Sequence, residues 1–368
     1  MSKVKMPKLR QLDLSGSYYD MGYRHGAVFR DAVRRFVAER VALSGSGEWS
    51  ARPLNRDKVL AIAEASVREH EAYAPQLMEE LRGMADAAAV TTAELIIVNG
   101  FTDFVDTLYA VGRRDAPPWT DPRPADNCTA FMVPDGLTAA GSGFLGQTWD
   151  MHASATPYVI LLRLRPPDAP AALLFTVTGC VGMIGMNEAG IAVGINNLLG
   201  GDGQIGVTWP FVVRKMLQQE YLDDALACLT GARLAGAHNY LLYDRHNRGY
   251  NVEAMGSYQE ITPLATEVIA HTNHCLVEAT TARSRPRAEA SQQHSEQRLG
   301  AAYRLLSRPR LTVEELMRAT AHDEVLAATG SPFDVETCGA ALMQPATGRL
   351  WAVWGRPSVD GYEAFALT

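Results

Sequence analysis

The spacing of apolar residues divides the chain into a helical first part and a strand-rich second part. Over roughly the first 110 residues, apolar side chains recur every three or four positions, which is the pattern of helices packed on one face. The pattern predicts helices at residues 18–41, 56–70 and 75–89. A further helix is predicted after Thr91 or Thr92, because either hydroxyl can cap a helix N-terminus.

Beyond residue 127 the pattern changes to short apolar runs separated by turn residues. These runs predict strands at residues 129–133, 143–148, 158–164, 171–178, 183–186, 191–196, 240–243, 250–254, 268–271, 339–344 and 350–354. The turn at residues 187–190, NEAG, fits a hairpin between two of them. Helical spacing returns at residues 209–229, 299–306 and 313–319. Strands, then helices, then strands again favour antiparallel sheets with helices on their outer faces.

Residues 113–127, RRDAPPWTDPRPADN, include four prolines. Because proline lacks an N–H and restricts the residue before it, neither a helix nor a central strand is expected there. The segment is either a surface linker or a stretch that stays extended and accessible for cleavage. It separates a predicted helical N-terminal segment, residues 1–127, from a predicted core, residues 128–368.

Composition and charge exclude several classes of protein. The 368 residues are 47% hydrophobic and 20% charged, which is ordinary for a chain that buries a core. The net charge of −7 argues against a nucleic-acid or polybasic membrane partner. The apolar runs are too short to cross a bilayer, and the N-terminus lacks the apolar stretch of a secretory signal. Five cysteines without a CxxC pair predict free thiols in a reduced, cytoplasmic protein.

Three strings in the second part contain residues suited to chemistry. Cys128 lies where the proline-rich segment meets the first strand, so its sulfur can face a sheet edge, although most buried cysteines only pack. Asp150 ends the strand GQTWD, where a carboxylate can orient an amine or simply form a turn. Asn196 and Asn197 end an apolar strand, and side-chain amides there can donate to an oxyanion or shape a turn.

The string HTNHC, residues 271–275, allows three interpretations. His271, His274 and Cys275 could bind a metal, but strand alternation directs the two histidines to opposite faces and no CxxC or carboxylate is near in sequence. A papain-like arrangement would use Cys128, one of these histidines as base and Asn273 to orient it. The third interpretation is that both histidines are structural.

Taken in order along the chain, seven strings resemble the isopenicillin N acyltransferase (acyl-coenzyme A:6-aminopenicillanic acid acyltransferase) family. Its members are N-terminal-nucleophile hydrolases, and they are more distantly similar to choloylglycine hydrolases. The strings are GSYYDMGYRHG (16–26), ELRGMADAAAVTTAELIIVNGFTD (80–103), DNCTAF (126–131), GQTWDM (146–151), NEAGIAVGINNL (187–198), HTNH (271–274) and MQPATGRLWAVWGRP (343–357). The resemblance therefore runs along nearly the whole chain.

The resemblance implies an α+β fold: the four-layer αββα N-terminal-nucleophile hydrolase sandwich, with a helical N-terminal segment. It also implies that a precursor cleaves itself between Asn127 and Cys128 into an α chain, residues 1–127, and a β chain, residues 128–368. The freed cysteine then carries its thiol and an α-amino group, whose ordinary pKa of about 7.7–8.0 suits a base at neutral pH. One residue supplies both nucleophile and base, so neither a metal nor an organic cofactor is expected.

By position in the similar strings, the resemblance assigns further roles. Asp150 would orient the new amino group, Asn273 would donate to the oxyanion, and Asn196 would be a second polar contact there. Weaker candidates for contacts with the substrate are Gln147, Trp149, Asn197, Ser295 and Arg298, the last two also for contact with the nucleophile. Asn127 replaces a glycine that is common in the isopenicillin enzyme. Gln147 replaces the arginine of the bile-salt-hydrolase branch, so bile-salt specificity is not implied.

The expected reaction is cleavage or transfer of an acyl group at a linear amide, such as an N-acyl amino acid or a small peptide-like substrate, through a thioester on Cys128. One alternative is an acyl-coenzyme A-dependent N-acyltransferase of secondary metabolism, with an acceptor amine. The other is a papain-like or non-catalytic protein that does not cleave itself. The expected partners are small molecules and the two chains of the precursor, without nucleic acid or membrane.

Overall fold

The computed structural model describes residues 9–49, 53–112, 128–326 and 335–367. The proline-rich segment 113–127, with Asn127 of the predicted cleavage site, lies outside these residues. Within them the chain forms two sheets and eleven helices. No helix of this described part is long and apolar enough to cross a membrane.

The N-terminal segment begins with a strand, β1 (Arg10–Ser15), that the apolar pattern did not predict. Six helices follow: α1 (Tyr18–Val28), α2 (Arg30–Gly45), α3 (Arg56–Tyr73), α4 (Pro75–Ala88), α5 (Thr92–Val98) and α6 (Phe101–Gly112). Thr91 is the N-cap of α5 and forms a capping box with Glu94, which confirms that cap. The prediction of one helix over residues 18–41 is wrong, because Phe29, at φ −109° and ψ 24°, breaks it into α1 and α2.

Two glycines explain why two of the similar strings lie together. Helices α1 and α4 touch along their backbones, and Gly22 and Gly83 are at the contact. A Cβ on Gly22 would lie 1.8 Å from the main-chain oxygen of Glu80, and one on Gly83 would lie 2.1 Å from that of Tyr19. Only glycine permits helices to approach so closely.

An eight-stranded sheet forms one layer of the core. Its order is β1-β4-β5-β6-β7-β8-β9-β10. The strands after β1 are β4 (Val159–Arg165), β5 (Ala172–Val177), β6 (Ile184–Asn187), β7 (Ile191–Asn197), β8 (His238–Asp244), β9 (Gly249–Ala254) and β10 (Gln259–Pro263). All pairs are antiparallel except β1 with β4. The predicted hairpin joins β6 to β7, with Gly190 at φ 85°.

A six-stranded antiparallel sheet forms the second layer. Its order is β11-β2-β3-β12-β13-β14. Its strands are β2 (Thr129–Val133), β3 (Phe144–His152), β11 (Ile269–His271), β12 (Val335–Gln344), β13 (Arg349–Trp354) and β14 (Glu363–Ala366). The predicted strand 129–133 has the bounds of β2, whereas β10 and β14 were not predicted.

The two sheets pack face to face through β2 and β3 on one side and β7 and β8 on the other. The remaining helices are α7 (Trp209–Met216), α8 (Leu222–Thr230), α9 (Glu278–Thr281), α10 (Glu289–Leu306) and α11 (Val313–Thr320). Helix α8 packs on the eight-stranded sheet, and α10 and α11 pack on the six-stranded sheet. The predicted α+β fold with an αββα core is confirmed.

Two helix predictions in this part need correction. The helix expected over residues 209–229 is two helices, α7 and α8, because the chain turns after Leu217. Helix α10 starts at Glu289, ten residues before the predicted start at residue 299, since its first half is polar and shows little apolar spacing. Ser295 and Arg298 are therefore on a helix.

Candidate active site

Cys128 lies directly before β2, at an end of the sandwich core. Its side chain is buried, with 2% exposed, and Sγ lies 3.7 Å from the main-chain oxygen of Asp150. This contact follows from the antiparallel pairing of β2 with β3, in which Thr129 faces Thr148. Strand pairing thus brings the predicted nucleophile next to the main chain of Asp150, the residue predicted to orient its amino group.

Two donors hold the main-chain oxygen of Cys128. Asn196 Nδ2 donates to it from β7 in the opposite sheet at 3.1 Å, and Arg298 Nη1 donates from α10 at 2.8 Å. One donor comes from each side of β2, so the backbone of Cys128 is fixed between the two layers.

Arg298 is the central buried cation of the site. Besides Cys128, its guanidinium donates to Thr129 Oγ1 at 3.0 Å and to Asn273 Oδ1 at 2.9 Å. Burial lowers the pKa of Arg298 to about 10, while the nearby Asp150 and Cys128 raise it. The guanidinium group therefore stays positively charged at neutral pH, and its charge interacts favourably with the buried Asp150.

Asn273 follows β11, and hydrogen bonds fix both its side-chain amide and its main-chain N–H. Arg298 donates to its Oδ1, its Nδ2 donates to the main-chain oxygen of Asn197 at 3.0 Å, and its N–H donates to Ser295 Oγ at 3.0 Å. Ser295 and Arg298 are three residues apart on α10, so one helix face contacts both ends of Asn273. An amide Nδ2 has two hydrogens, and only one is used in these contacts.

Both predicted histidines of the HTNH string are bound to other groups. His271 is buried, with Nδ1 2.8 Å from the Thr272 oxygen and Nε2 2.9 Å from Glu253 Oε1. Glu253, on β9, was missed because its partner is 18 residues away in sequence. His274 Nδ1 lies 2.8 Å from Ser295 Oγ, and burial lowers the pKa of His274 to about 4. Within the described residues, no group of three His, Cys, Asp or Glu could hold a metal.

Gln147 and Trp149 occupy the inner face of β3. Gln147 is buried, and its amide pairs with the main chain of Ile195, donating at 2.5 Å and accepting at 2.8 Å. This contact joins the two sheets, and it uses both the nitrogen and the oxygen of the Gln147 side-chain amide. Trp149 lines a small cavity of about 30 Å³ whose walls are mostly apolar, including Phe36 and Trp209.

A larger cavity opens beside Asn273. It has a volume of about 420 Å³, and Asn273 and His274 form part of its wall together with Arg285 and Arg287. Neither arginine was predicted from the sequence as a site residue. They follow one another in the string RSRPRAE, which has no feature that separates them from an ordinary basic turn.

The architecture and this site define a class of protein: an αββα sandwich with a cysteine directly before an inner strand of one sheet. The family model described as acyl-coenzyme A:6-aminopenicillanic acid acyl-transferase matches residues 138–359, more than half of the chain. The chain therefore belongs to this acyltransferase family. The match includes Asp150, Asn196, Asn273 and Arg298, and it begins ten residues after Cys128.

Three known proteins illustrate the similarity. The acyl-coenzyme A:6-aminopenicillanic-acid-acyltransferase 40 kDa form of Emericella nidulans is 23% identical over 267 residues, 71% of this chain and 68% of the relative. An uncharacterized protein of Archaeoglobus fulgidus is 26% identical over 255 residues, 64% of this chain and 41% of that protein. A crystal structure of a mutant conjugated bile acid hydrolase from Clostridium perfringens covers 65% of this chain and 92% of its own, with 11% identity and a TM-score of 0.47.

Proposed function

We propose that the chain cleaves itself between Asn127 and Cys128 and then acts on a linear amide as an N-terminal cysteine amidohydrolase or acyltransferase. The observation that carries this proposal is the double hold on the main-chain oxygen of Cys128 by Asn196 and Arg298. A cysteine that merely fills the core needs no buried cation on its own backbone. A nucleophile needs such fixing, because misplacement by about 1 Å can cost about 10²-fold in rate.

Cleavage requires only groups of the chain and water. The thiol of Cys128 attacks the carbonyl carbon of Asn127, and the bond to the Cys128 nitrogen breaks as that nitrogen takes up the thiol proton. The resulting thioester is hydrolysed by water, which leaves a carboxylate on Asn127 and a free α-amino group and thiol on Cys128. Asp150, beside Cys128, would hold that amino group.

In turnover the same amino group is the base. It accepts the thiol proton, the thiolate attacks the substrate carbonyl, and the developing oxyanion is stabilised by the second N–H of Asn273 Nδ2. The proton returns to the leaving amine as the thioester forms. Water then releases the acyl group as a carboxylate, or a second amine takes it as a new amide.

The substrates we propose are N-acyl amino acids or small peptide-like amides. The name of the Emericella relative, an acyl-coenzyme A:6-aminopenicillanic-acid-acyltransferase, supports a second candidate, transfer from acyl-coenzyme A to an amine. All five cysteines are free thiols, which supports a reducing, cytoplasmic location.

Denaturing mass spectrometry tests self-cleavage. Wild type should give chains of about 14 and about 26 kDa, in proportion to residues 1–127 and 128–368 of the 40.0 kDa chain. Cys128→Ala should remain one chain, whereas Cys228→Ala, at a half-buried cysteine elsewhere, should be cleaved normally. An intact wild-type protein with full activity would rule out the amino-group mechanism.

Trapping the thioester separates the two activities. After acylation of Cys128 by an N-acyl amino acid or an acyl-coenzyme A, decay should be followed with and without added amine. Decay that is unchanged by the amine and yields free acid identifies a hydrolase. Decay that accelerates with the amine and yields a new amide identifies a transferase.

A further inference from the structure

The cavity beside Asn273 is cationic. Its wall includes Arg285 and Arg287, and no Asp or Glu among the described residues lines it. Arg287 Nη1 donates to the main-chain oxygen of Asn273, so this guanidinium contacts the residue whose side chain is the proposed oxyanion donor. The cavity and the nucleophile are linked through Asn273 and Arg298.

Arg285 is buried yet incompletely bonded. It is 5% exposed, and Nε and Nη1 have no hydrogen-bond partner among the described residues. Its Nη2 donates to Asp106 Oδ1 at 2.6 Å, and its guanidinium stacks over Tyr109 at 4.8 Å. Buried donors are normally satisfied, so these two unused nitrogens, on a residue of the cavity wall, indicate that a ligand supplies the acceptors.

Asp106 offsets only one of the two arginine charges of this wall. Its carboxyl group accepts from Arg285 Nη2 and from the main-chain N–H groups of Gly200 and Ala237. Arg287 adds a second positive charge to the wall. The main chain also fixes this wall, because the Arg285 N–H donates to the Leu199 oxygen at 2.8 Å, two residues after β7.

We infer that this cavity binds a carboxylate of the amide substrate, with Arg285 and Arg287 as its contacts. The inference rests on the proposed function and names the substrate class of that site: an N-acyl amino acid, with the carboxylate on the amine side of the scissile bond. A guanidinium presents a planar fork of donors that matches a carboxylate. The phosphates of acyl-coenzyme A are the rival anion.

Binding is measured first, on wild type and on intact Cys128→Ala, by titration calorimetry. The probes are three N-acylglycines (acetyl, octanoyl and phenylacetyl) and the matching glycinamides, which lack only the negative charge. At least one carboxylate should bind about tenfold or more tightly than its amide, because a site built for an ion rejects a neutral analogue. Equal or undetectable binding in all three pairs would overturn the inference.

Arg285→Lys and Arg287→Gln then locate the contact. Lysine keeps a cation beside Asp106, so the variant should fold, whereas removal of the charge would leave Asp106 buried alone. Both variants should lose the preference for the carboxylate while binding the glycinamides as wild type does. Arg308→Lys, in an exposed ion pair with Glu315, is the matched control and should change nothing. A preference that survives in both cavity variants would contradict the assignment.

Two further arms separate the inference from its rival and from the proposed function. If coenzyme A displaces the N-acylglycines and binds more tightly, and the arginine variants abolish that binding, the cavity is a phosphate site and the inference is wrong. If the protein neither cleaves itself nor hydrolyses any amide, yet the carboxylate preference depends on both arginines, the anion site stands and the proposed function fails.

Discussion

Arg298 donates a 2.8 Å hydrogen bond to the main-chain oxygen of Cys128, although 170 residues separate the two along the chain. The same guanidinium binds the side chains of Thr129 and Asn273. One buried cation thus aligns the proposed nucleophile with the proposed oxyanion donor.

Arg298→Lys should impair both self-cleavage and turnover. A lysine retains the charge opposite Asp150, but a single ammonium cannot reproduce the planar fork that reaches three residues. We expect turnover to fall by about 10²-fold, as for a nucleophile misplaced by about 1 Å, with a small change in melting temperature. Arg304→Lys, on the same helix in an exposed ion pair with Glu324, is the control. Near-normal processing in Arg298→Lys would remove this residue from the site.

Asn273→Ala should fold and yet lose most turnover. Removal of a side-chain donor from an oxyanion site costs about 10²–10³-fold in kcat. Asn197→Ala is the comparison, because Asn197 contacts Asn273 through its main-chain oxygen, which the substitution keeps. We expect that variant to alter KM more than kcat. Steady-state kinetics on processed protein measures both, and an Asn273→Ala enzyme with near-normal kcat would refute the oxyanion role.

His271→Gln and His274→Gln should reduce activity only mildly. His271 is bound to Glu253 and the Thr272 oxygen, and His274 to Ser295, so substitution should act through stability. Because burial lowers the pKa of His274 to about 4, its titration should not appear in the activity profile between pH 6 and 8. A loss of about 10²–10⁴-fold in either variant would instead indicate a histidine base, as in papain-like enzymes.

A thiol alkylator should inactivate the enzyme through Cys128, and a chelator should not. Burial raises the pKa of Cys180, Cys275 and Cys338 to about 12, and that of Cys228 in the same direction, so these thiols should react slowly. Peptide mapping should show that inactivation follows modification of Cys128 alone and that substrate protects it. Stoichiometric zinc whose removal abolishes activity, and whose return restores it, would overturn the assignment.

The protein should lose stability as the pH falls from about 6.5 to about 4. Burial lowers the pKa of His25 and of His70 to about 4, so between these values the unfolded chain binds more protons than the folded one. Each histidine then lowers the free energy of unfolding by at most about 1.4 kcal/mol for each pH unit below about 6.5, until the folded-state pKa of about 4 is reached. Above pH 6.5 this loss is absent. His70 resists protonation because its Nε2 accepts from the Thr208 N–H at 3.1 Å.

Urea unfolding at a series of pH values measures this loss. His70→Gln cannot titrate, so its stability should depend less steeply on pH than that of wild type. His246→Gln, at a surface turn after β8, is a suitable control and should keep the wild-type slope. A free energy of unfolding that is constant between pH 7 and pH 4.5 would contradict the prediction.

Local pattern was enough for elements that carry their own signal in adjacent residues. The strand 129–133 was predicted from a short apolar run, and the cap at Thr91 from capping chemistry, which are both local properties. The break at Phe29 was not, since apolar spacing continues through it on both sides. Strand β1 was missed because its stability comes from pairing with β4, about 150 residues later.

The residues of the site also fall into some that were predicted from the sequence and others that were not. The resemblance predicted Cys128, Asp150, Asn196, Asn273 and Arg298 as one site, and the fold brings them together, although their roles remain predictions. Glu253 and Arg285 could not be found from the sequence. Each gains its significance from burial and from a partner far along the chain, and neither property leaves a signal in the adjacent residues.

Strand β1 has a consequence for the assembly of a cleaved protein. It pairs in parallel with β4 over Arg10–Ser15, and its Leu12 and Leu14 are buried in the core. After a cut before Cys128, one chain would supply an edge strand of a sheet formed otherwise by the other chain. The two products would then be a strand-complemented heterodimer that no covalent bond joins. They should migrate together in native gels, dissociate only on global unfolding, and refold poorly when mixed as separate chains.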